Sequence, residues 1–365
     1  MNVIPNFLKN TFFKGRQKLS GLSADTKPIN MTRALLNPEK ILIFPYTHMG
    51  TVLLSTRVFK ALRDHFPHAK ISVAVNHAWS VLIQRDPTID EVITFGDFIE
   101  TPNSKEFKDF GKLLKEKEFD LAFFLSYHFD EEIAYLIRYS NAKLRISFSG
   151  NEELEYFNVG IVPSAGDRYE VERYLELLRT LGINGNVRDY TMTVTESIQE
   201  KARQRYLPSG TVPRSGRVIG FDLSREIIGS AVSKKHAETI IKTFVTQLKS
   251  TVIVFYEPNK KAMAAEMKEL FGKDIILVED RPVSMLAGMM SLCRFIIAFN
   301  SDLLQLSTAL KIPTIGVLTK QDAIVWTVGE NDNFVHLACQ AGSCPPANAF
   351  LSSAKAIIAK TKSKK

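Results

Sequence analysis

The stretch KILIFPYTHMGTVLLSTRVFKALRDHFPHAKI, residues 40–71, decides the fold. It opens with a short apolar run, ILIFP (41–45), and continues with apolar residues three and four apart in VLLSTRVFKALRDHF (52–66), the spacing of an amphipathic helix. A second short apolar run, KISVAVN (70–76), follows. This order predicts a strand, a helix and a strand, with the glycine turn THMGT (47–51) at the carboxyl end of the first strand.

The same alternation continues along most of the chain. One series runs to LRISF (144–148), and a second runs from RVIGFDL (217–223) to TIGVL (314–318). Between them lies RYEVERYLELLRTLGI (168–183), an amphipathic helix that Gly182 is expected to end. We therefore expect an α/β protein with two Rossmann-like, doubly wound domains that face a cleft, and ligands at the carboxyl ends of the strands.

The pattern divides the chain into five parts. They are an N-terminal amphipathic segment and linker (1–38), an N-terminal Rossmann-like domain (39–165), an interdomain helix (166–184), a C-terminal Rossmann-like domain (185–345), and a C-terminal helix with a basic tail (346–365). Inside the first domain, SVLIQRD (80–86) is also predicted to be a helix.

Composition indicates a globular cytoplasmic protein. Of 365 residues, 45% are hydrophobic and 24% are charged, no apolar run is long enough to span a bilayer, and the N-terminus lacks a signal-peptide pattern. The three cysteines, Cys293, Cys339 and Cys344, match neither a disulfide framework nor a zinc site. We therefore expect buried or loop thiols in a reducing compartment.

The net charge of +8 favours an anionic partner. Nucleic acid is not expected, because the sequence has no zinc finger, RNP-type aromatic motif or basic repeat. Much of the N-terminal charge lies in VIPNFLKNTFFKGRQKL (3–19), which on a helix gives a broad apolar face flanked by cations. Residues 1–20 then either lie on an anionic membrane surface or pack on the body of the protein or on a partner subunit.

Four strings, in this order, resemble glycosyltransferase family 9, the bacterial ADP-heptose:lipopolysaccharide heptosyltransferases with their GT-B fold. They are residues 40–71, HAWSVLIQRDPTIDEVITF (77–95), residues 168–183, where Tyr169 replaces the family's usual histidine, and SMLAGMMSLCRFIIAFNSDLLQLSTALKIPTIGVL (284–318). The resemblance implies transfer of a heptose or related sugar from a nucleotide diphosphate sugar, similar to ADP-heptose, to a lipopolysaccharide-type or other lipid-linked envelope glycan. It also implies a reaction without metal or cofactor, by a protein peripheral to the inner face of the cytoplasmic membrane.

The resemblance places the acceptor-side loop at Thr47 to Thr51. The family has a general base, an aspartate, directly after the loop glycine, and here Gly50 is followed by Thr51. An alcohol without an adjacent base does not take a proton near neutral pH. Histidine is a common general base in enzymes, so His48 is the candidate base, and the alternative is that it is a hydrogen-bonded loop residue.

The donor-side phrase D-[ST]-G-P-x-H of the family corresponds to NSDLLQ (300–305). A helix start there suits a diphosphate, and Ser301 adds a hydroxyl. Asp302 replaces glycine and is expected to cap the helix rather than to contact phosphate. Gln305 donates a hydrogen bond where the family has histidine.

Two further turns complete the donor side. FDLSREIIGSAVSKKH (221–236) stands where the family has Thr/Ser followed by Lys-x-Trp-Pro, with Ser230 nearest to the lysine position. The candidate phosphate contacts in this turn are Ser224, Arg225 and Lys234, although Lys234 and Lys235 also suit an exposed helix start. Tyr256 and Glu257 replace a Gly-Gly-Pro turn, and Tyr256 either stacks on an adenine or packs in the core.

The family's site thus differs at four positions at once: Thr51, Ser230, Asp302 and Gln305. The alternative function is a catalytically inactive relative that binds a glycan or nucleotide sugar, or serves as a scaffold in envelope assembly. A GT-B subfamily with another donor is compatible with the same differences. A carboxylate such as Asp130 or Glu131 near Gly50 would supply another base.

Overall fold

The computed structural model describes residues 30–45, 48–102, 104–148, 155–185, 192–207, 218–223, 234–279, 282–327, 329, 331, 333–340 and 343–362. The N-terminal segment 1–20 and four candidate site residues lie outside the described residues: Thr47, Ser224, Arg225 and Ser230. The chain divides into two compact units, Met1–Ala165 with Val171–Arg188, and Gly166–Glu170 with Asp189–Lys365.

The N-terminal unit contains a six-stranded parallel sheet in the order β3-β2-β1-β4-β5-β6. Its strands are β1 (Lys40–Pro45), β2 (Lys70–Asn76), β3 (Glu91–Phe95), β4 (Leu121–Leu125), β5 (Leu144–Phe148) and β6 (Val159–Ile161). Its helices are α1 (Met31–Leu36), α2 (Met49–His65), α3 (Lys105–Glu116), α4 (Glu131–Tyr139) and α5 (Glu170–Thr180), the last belonging to this unit from Val171 onward.

Strand β1 is buried from Ile41 to Pro45, as expected for a central parallel strand with both faces covered. It pairs in parallel with β2 on one side and β4 on the other. Aromatic side chains dominate the core between this sheet and α3 and α4, including Phe44, Phe107 and Phe124. The predicted strand–helix–strand order of residues 40–76 is confirmed.

Two local predictions in this unit are wrong. SVLIQRD forms only a 3₁₀ turn at Ser80–Leu82, because the chain then enters the Asp86-Pro87 pair, where proline disfavours a helical residue before it. Asp86 instead accepts hydrogen bonds from the N–H (2.9 Å) and hydroxyl (2.5 Å) of Thr88. The expected THMGT turn is shorter than predicted, since α2 begins at Met49.

The C-terminal unit contains a second six-stranded parallel sheet, in the order β12-β11-β10-β7-β8-β9. Its strands are β7 (Val218–Asp222), β8 (Thr251–Tyr256), β9 (Ile275–Glu279), β10 (Phe295–Ala298), β11 (Thr314–Leu318) and β12 (Phe334–Ala338). Its helices are α6 (Glu196–Tyr206), α7 (Lys234–Gln247), α8 (Lys261–Phe271), α9 (Val283–Met290), α10 (Asp302–Ala309), α11 (Lys320–Trp326) and α12 (Ala347–Lys362).

The C-terminal helix α12 is an integral part of this unit. Its Phe350, Ala354 and Ile357 are buried in the same hydrophobic cluster as Phe244 of α7. Five elements were not predicted from the sequence: helices α1, α6 and α11 and strands β6 and β12. Strand β12 packs against a glycine of its neighbour: a Cβ on Gly316 would lie 2.4 Å from Cζ of Phe334, so only glycine fits beneath this ring.

Candidate functional site

Each sheet has one point where the chain reverses the direction in which it adds strands. In the N-terminal sheet this switch point lies between β1 and β4, and in the C-terminal sheet it lies between β7 and β10. Connections leave the two strands toward opposite sides, which opens a crevice at their carboxyl ends, and ligands of doubly wound sheets bind there. Some of the candidate residues lie at these two switch points, and the others lie on neighbouring elements.

At the first switch point, α2 begins almost directly after β1. His48 is the N-cap residue in extended conformation, and its side chain is exposed and makes no capping hydrogen bond. Its carbonyl oxygen accepts the N–H of Val52 at 3.0 Å and the hydroxyl of Thr51 at 2.8 Å. Gly50 is buried in the first turn. The Thr51 hydroxyl thus closes the first turn of its own helix.

Two carboxylates follow the neighbouring strand β4, and both have structural partners. Asp130 caps α4, with Oδ1 accepting the N–H of Ile133 at 2.9 Å. Oε1 of Glu131 accepts the hydroxyl of Tyr156 at 3.1 Å. Burial, and then the negative charge of Glu131, raise the pKa of Tyr156, so this phenol stays protonated and donates. Both carboxylates therefore hold the start of α4 in place.

At the second switch point, a buried carboxylate connects the two central strands. Asp222 ends β7 and is only 1% exposed. Its Oδ2 accepts the hydroxyl of Ser301 and, at 3.2 Å, the N–H of Phe299, both from the segment between β10 and α10. Sequence reasoning missed Asp222. The signal in the sequence is a carboxylate as the last residue of a predicted strand. It becomes informative only when the sheet order shows that this strand lies at the switch point.

Helix α10 begins directly after Ser301, one of the two partners of Asp222. Ser301 occupies the N-cap position, so the prediction that Asp302 is the cap is wrong by one residue: Asp302 is the first helical residue. The side chain of Ser301 contacts Asp222 and makes no capping bond to its own helix. A negative residue in a first turn interacts favourably with the helix dipole, so Asp302 stabilises the start of α10.

Gln305 faces inward. It is 8% exposed, and its Nε2 donates to the main-chain oxygen of Trp326 at 2.9 Å, which ties α10 to the end of α11. A second link joins the same helices at their starts. Nδ2 of Asn300 donates to Oδ1 of Asp322 at 3.0 Å, while Oδ2 of Asp322 accepts the hydroxyl of Thr319 at 2.7 Å.

The other donor-side candidates stand on elements other than α10. Lys234 is the first residue of α7 and pairs with Glu266 of α8 and, at 3.9 Å, with Glu238; the hydrogen bond to Glu266 raises the pKa of Lys234. Tyr256 ends β8 and belongs to the hydrophobic core, and burial, followed by the charge of Glu279, raises its pKa. Glu257 is the N-cap residue of the 3₁₀ turn Pro258–Lys260.

The C-terminal switch point thus collects Ser301, Asp302 and Gln305 on one helix, fixed by Asp222. Lys234 is exposed and paired with acidic side chains, and Tyr256 packs in the core. Among the described residues, no group of three or more His, Cys, Asp or Glu side chains is arranged to hold a metal ion. In the same part of the chain, every helix is too short or too polar to cross a membrane.

Solved structures of glycosyltransferases share this fold over most of the chain. A glycosyl transferase family 9 protein from Veillonella parvula DSM 2008 matches with a TM-score of 0.72 and 17% identity, covering 89% of this chain and 98% of that one. E. coli ADP-heptose lps heptosyltransferase II matches with a TM-score of 0.72 and 17% identity, covering 88% and 99%. E. coli heptosyltransferase WaaC with ADP matches with a TM-score of 0.67 and 17% identity, covering 87% and 99%.

No family model and no curated protein matches the sequence. The structural matches nevertheless confirm the predicted fold: the chain has the GT-B fold of family 9 glycosyltransferases, with two Rossmann-like units. At 17% identity this likeness concerns the fold, and the chemistry has to be argued from the residues of this chain.

Proposed function

We propose that the protein is a metal-independent glycosyltransferase that moves a heptose or related sugar from a nucleotide diphosphate to an envelope glycan. The observation that carries this proposal is the fixed start of α10 at the C-terminal switch point, where buried Asp222 holds Ser301 and the main chain of Phe299. Such a helix start offers main-chain N–H groups and a favourable dipole to a diphosphate. A heptosyltransferase of the same fold was solved with ADP, which supports a nucleotide as ligand.

The donor would lie with its diphosphate at the start of α10. Asp302 brings a negative charge to this position, so we assign its carboxylate to a ribose hydroxyl and the phosphate contacts to main-chain N–H groups. Ser224 and Arg225 follow β7 in sequence and are proposed as the remaining phosphate contacts. Lys234 and Tyr256 are less suited to contact the donor, because Lys234 is paired with Glu266 and Tyr256 is buried.

The acceptor would react at the N-terminal switch point. His48 is exposed at the N-cap of α2, and we propose that its imidazole takes the proton of an acceptor hydroxyl. The acceptor oxygen then forms a bond to the anomeric carbon as the bond to the nucleoside diphosphate breaks, and the diphosphate leaves with the negative charge. This displacement inverts the anomeric carbon.

The acceptor we propose is a lipid-linked, lipopolysaccharide-type glycan at the inner face of the bacterial cytoplasmic membrane. The net charge of +8 favours an acceptor in an anionic surface, and the cationic, apolar segment 1–20 would add membrane affinity. Co-sedimentation with anionic liposomes, with and without residues 1–20, tests this part alone. Equal binding of both proteins would contradict a membrane role for the segment.

Calorimetric titration with ADP, UDP and ADP-heptose, followed by an assay of nucleotide release with a glycan acceptor, tests the proposal. We expect binding of a nucleoside diphosphate that Ser301→Ala weakens, and turnover that His48→Asn abolishes while donor affinity is retained. Thr51→Asp restores a carboxylate at the family's base position and should support turnover in the His48→Asn background. A folded protein that binds none of these nucleotides would overturn the proposal.

A second candidate is a catalytically inactive relative that binds a nucleotide sugar or glycan. Two candidate site residues already make hydrogen bonds within the protein, which favours this function. The Thr51 hydroxyl donates to the oxygen of His48 in its own helix turn, and the Gln305 amide donates to the main-chain oxygen of Trp326. This candidate predicts nucleotide binding without turnover, and Thr51→Asp would leave turnover absent. The same pair of measurements therefore separates the two functions.

A further inference from the structure

A cavity of about 230 Å³ opens between α3 and α4 in the N-terminal unit. None of its lining residues belongs to the candidate site described above. Helix α3 contributes Phe107, Lys108, Gly111 and Lys112, and helix α4 contributes Tyr135, Leu136 and Tyr139.

The walls of this cavity are aromatic. The ring of Tyr135 lies 6.1 Å from that of Phe107 and 5.9 Å from that of Tyr139, the latter pair at an interplanar angle of 17°. Gly111 gives the cavity its depth, since a Cβ there would lie 3.2 Å from Cδ1 of Tyr139. Ring faces and edges of this kind favour a planar aromatic ligand over a flexible aliphatic one.

The mouth of the cavity is cationic. Lys108 and Lys112 both line the cavity, and they are exposed and stand one helical turn apart on α3. One turn further, Nζ of Lys115 lies 5.5 Å from the ring centroid of Tyr139. Asp109 lies 3.7 Å from Lys112. Helix α3 as a whole has four lysines and three carboxylates, a net charge of +1, and two of the lysines line the cavity while no carboxylate of this helix does. A ligand with a negative group at the mouth is therefore favoured.

We propose that this cavity binds a small planar anion, specifically an aromatic carboxylate of one or two rings. The volume sets the size, because it falls below the roughly 300 Å³ at which sites for drug-sized ligands begin. The apolar ring would lie over Gly111, against the rings of Phe107, Tyr135 and Tyr139, and the carboxylate would stay beside Lys108 and Lys112. This site is separate from the proposed transfer of a sugar and does not depend on it.

Titration of the full-length chain with 1-naphthoate by isothermal calorimetry tests the proposal. We expect saturable binding to one site, weakened about tenfold or more by Lys108→Glu, since charge reversal beside a bound anion replaces attraction by repulsion. Lys108→Glu keeps the fold, because a glutamate four residues before Lys112 forms a favourable helix pair. Lys105→Glu is the matched control: it makes the same charge change on the same helix, outside the cavity.

Two further measurements distinguish the contribution of the ligand's aromatic ring to binding from the contribution of its negative charge. Gly111→Ala places a methyl group in the cavity while favouring the helix, and should weaken naphthoate several-fold. The uncharged 1-naphthalenemethanol should bind more weakly than naphthoate to the unmodified protein. Absence of naphthoate binding up to about 1 mM, equal losses in Lys105→Glu and Lys108→Glu, or equal affinity for the alcohol would overturn the proposal.

Discussion

The two sheets share one topology but hold their switch points differently. In the N-terminal sheet, β1 ends in the apolar Pro45. There Thr51 and Asp130 each make a hydrogen bond within their own helix, at the starts of α2 and α4, while the neighbouring Glu131 accepts the hydroxyl of Tyr156. In the C-terminal sheet, β7 ends in Asp222, whose buried carboxylate reaches across to the segment after β10.

Thr51 and Asp130 thus stabilise helix starts by local hydrogen bonds, whereas Asp222 stabilises the start of α10 from a different strand. A local hydrogen bond fixes one turn, and its loss leaves the neighbouring strand untouched. A buried carboxylate that accepts from another strand's loop fixes two connections relative to each other, and its removal leaves buried donors without an acceptor. The C-terminal switch point should therefore be the more rigid and the more easily damaged of the two.

The largest effect is expected for Asp222→Ala. The hydroxyl of Ser301 and the N–H of Phe299 would lose their buried acceptor, which should lower the free energy of unfolding by about 3 kcal/mol. The chain has two tryptophans, Trp79 and Trp326, one in each unit, so urea unfolding of a Trp79→Phe background follows the C-terminal unit by fluorescence.

Asp222→Asn keeps an acceptor oxygen and serves as the control, with a smaller loss. If Asp222→Ala lowered the free energy of unfolding by less than about 1 kcal/mol, the contact between β7 and the start of α10 would not be a main support of this unit.

An intermediate effect is expected on acidification, in the N-terminal unit. Asp120 accepts hydrogen bonds from Lys143 at 2.6 Å and from the N–H groups of Glu39 and Lys40 at 2.7 and 3.0 Å. Burial raises the pKa of Asp120, but these bonds outweigh it and hold the pKa below its ordinary value. Because its pKa is lower in the folded state, the ionised Asp120 stabilises the fold at pH values above the ordinary carboxyl pKa. This stabilisation is lost as the pH falls through the pKa of the folded state.

Unfolding followed through Trp79 in a Trp326→Phe background should therefore require less urea as the pH falls below about 4. In Asp120→Asn the stability at neutral pH should be lower and the decline on acidification smaller. An unchanged decline in this variant would assign the acid sensitivity to other carboxylates.

The smallest effect is expected for Thr51→Val, the N-terminal counterpart of the Asp222 experiment. It removes the hydroxyl bond to the oxygen of His48 from a half-buried position and should cost about 1 kcal/mol, measured through Trp79. Thr51→Ser retains the hydroxyl and is the control. A loss as large as that in Asp222→Ala would remove the distinction between local and non-local support.

The alternation of apolar runs was enough to predict the doubly wound α/β organisation, because a parallel sheet with both faces covered needs continuous apolar strands. Local rules failed where the chain offered competing signals. SVLIQRD has helical spacing, but the Asp86-Pro87 pair and the bonds of Asp86 to Thr88 stop it after one 3₁₀ turn. Strand β12 contains His336 among apolar residues and lies at a sheet edge, so its pattern is weak.

For the candidate site, the sequence by itself determined which residue types stand at the strand ends, and hence the absence of a carboxylate at Thr51 and the presence of one at Asp302. Only the tertiary structure decided their partners. Hydrogen bonds between Asp222 and Ser301, or between Gln305 and Trp326, join residues 79 and 21 positions apart, and no local periodicity encodes them. They follow from the strand order, which brings β7 beside β10 and makes one buried carboxylate the anchor of a helix start.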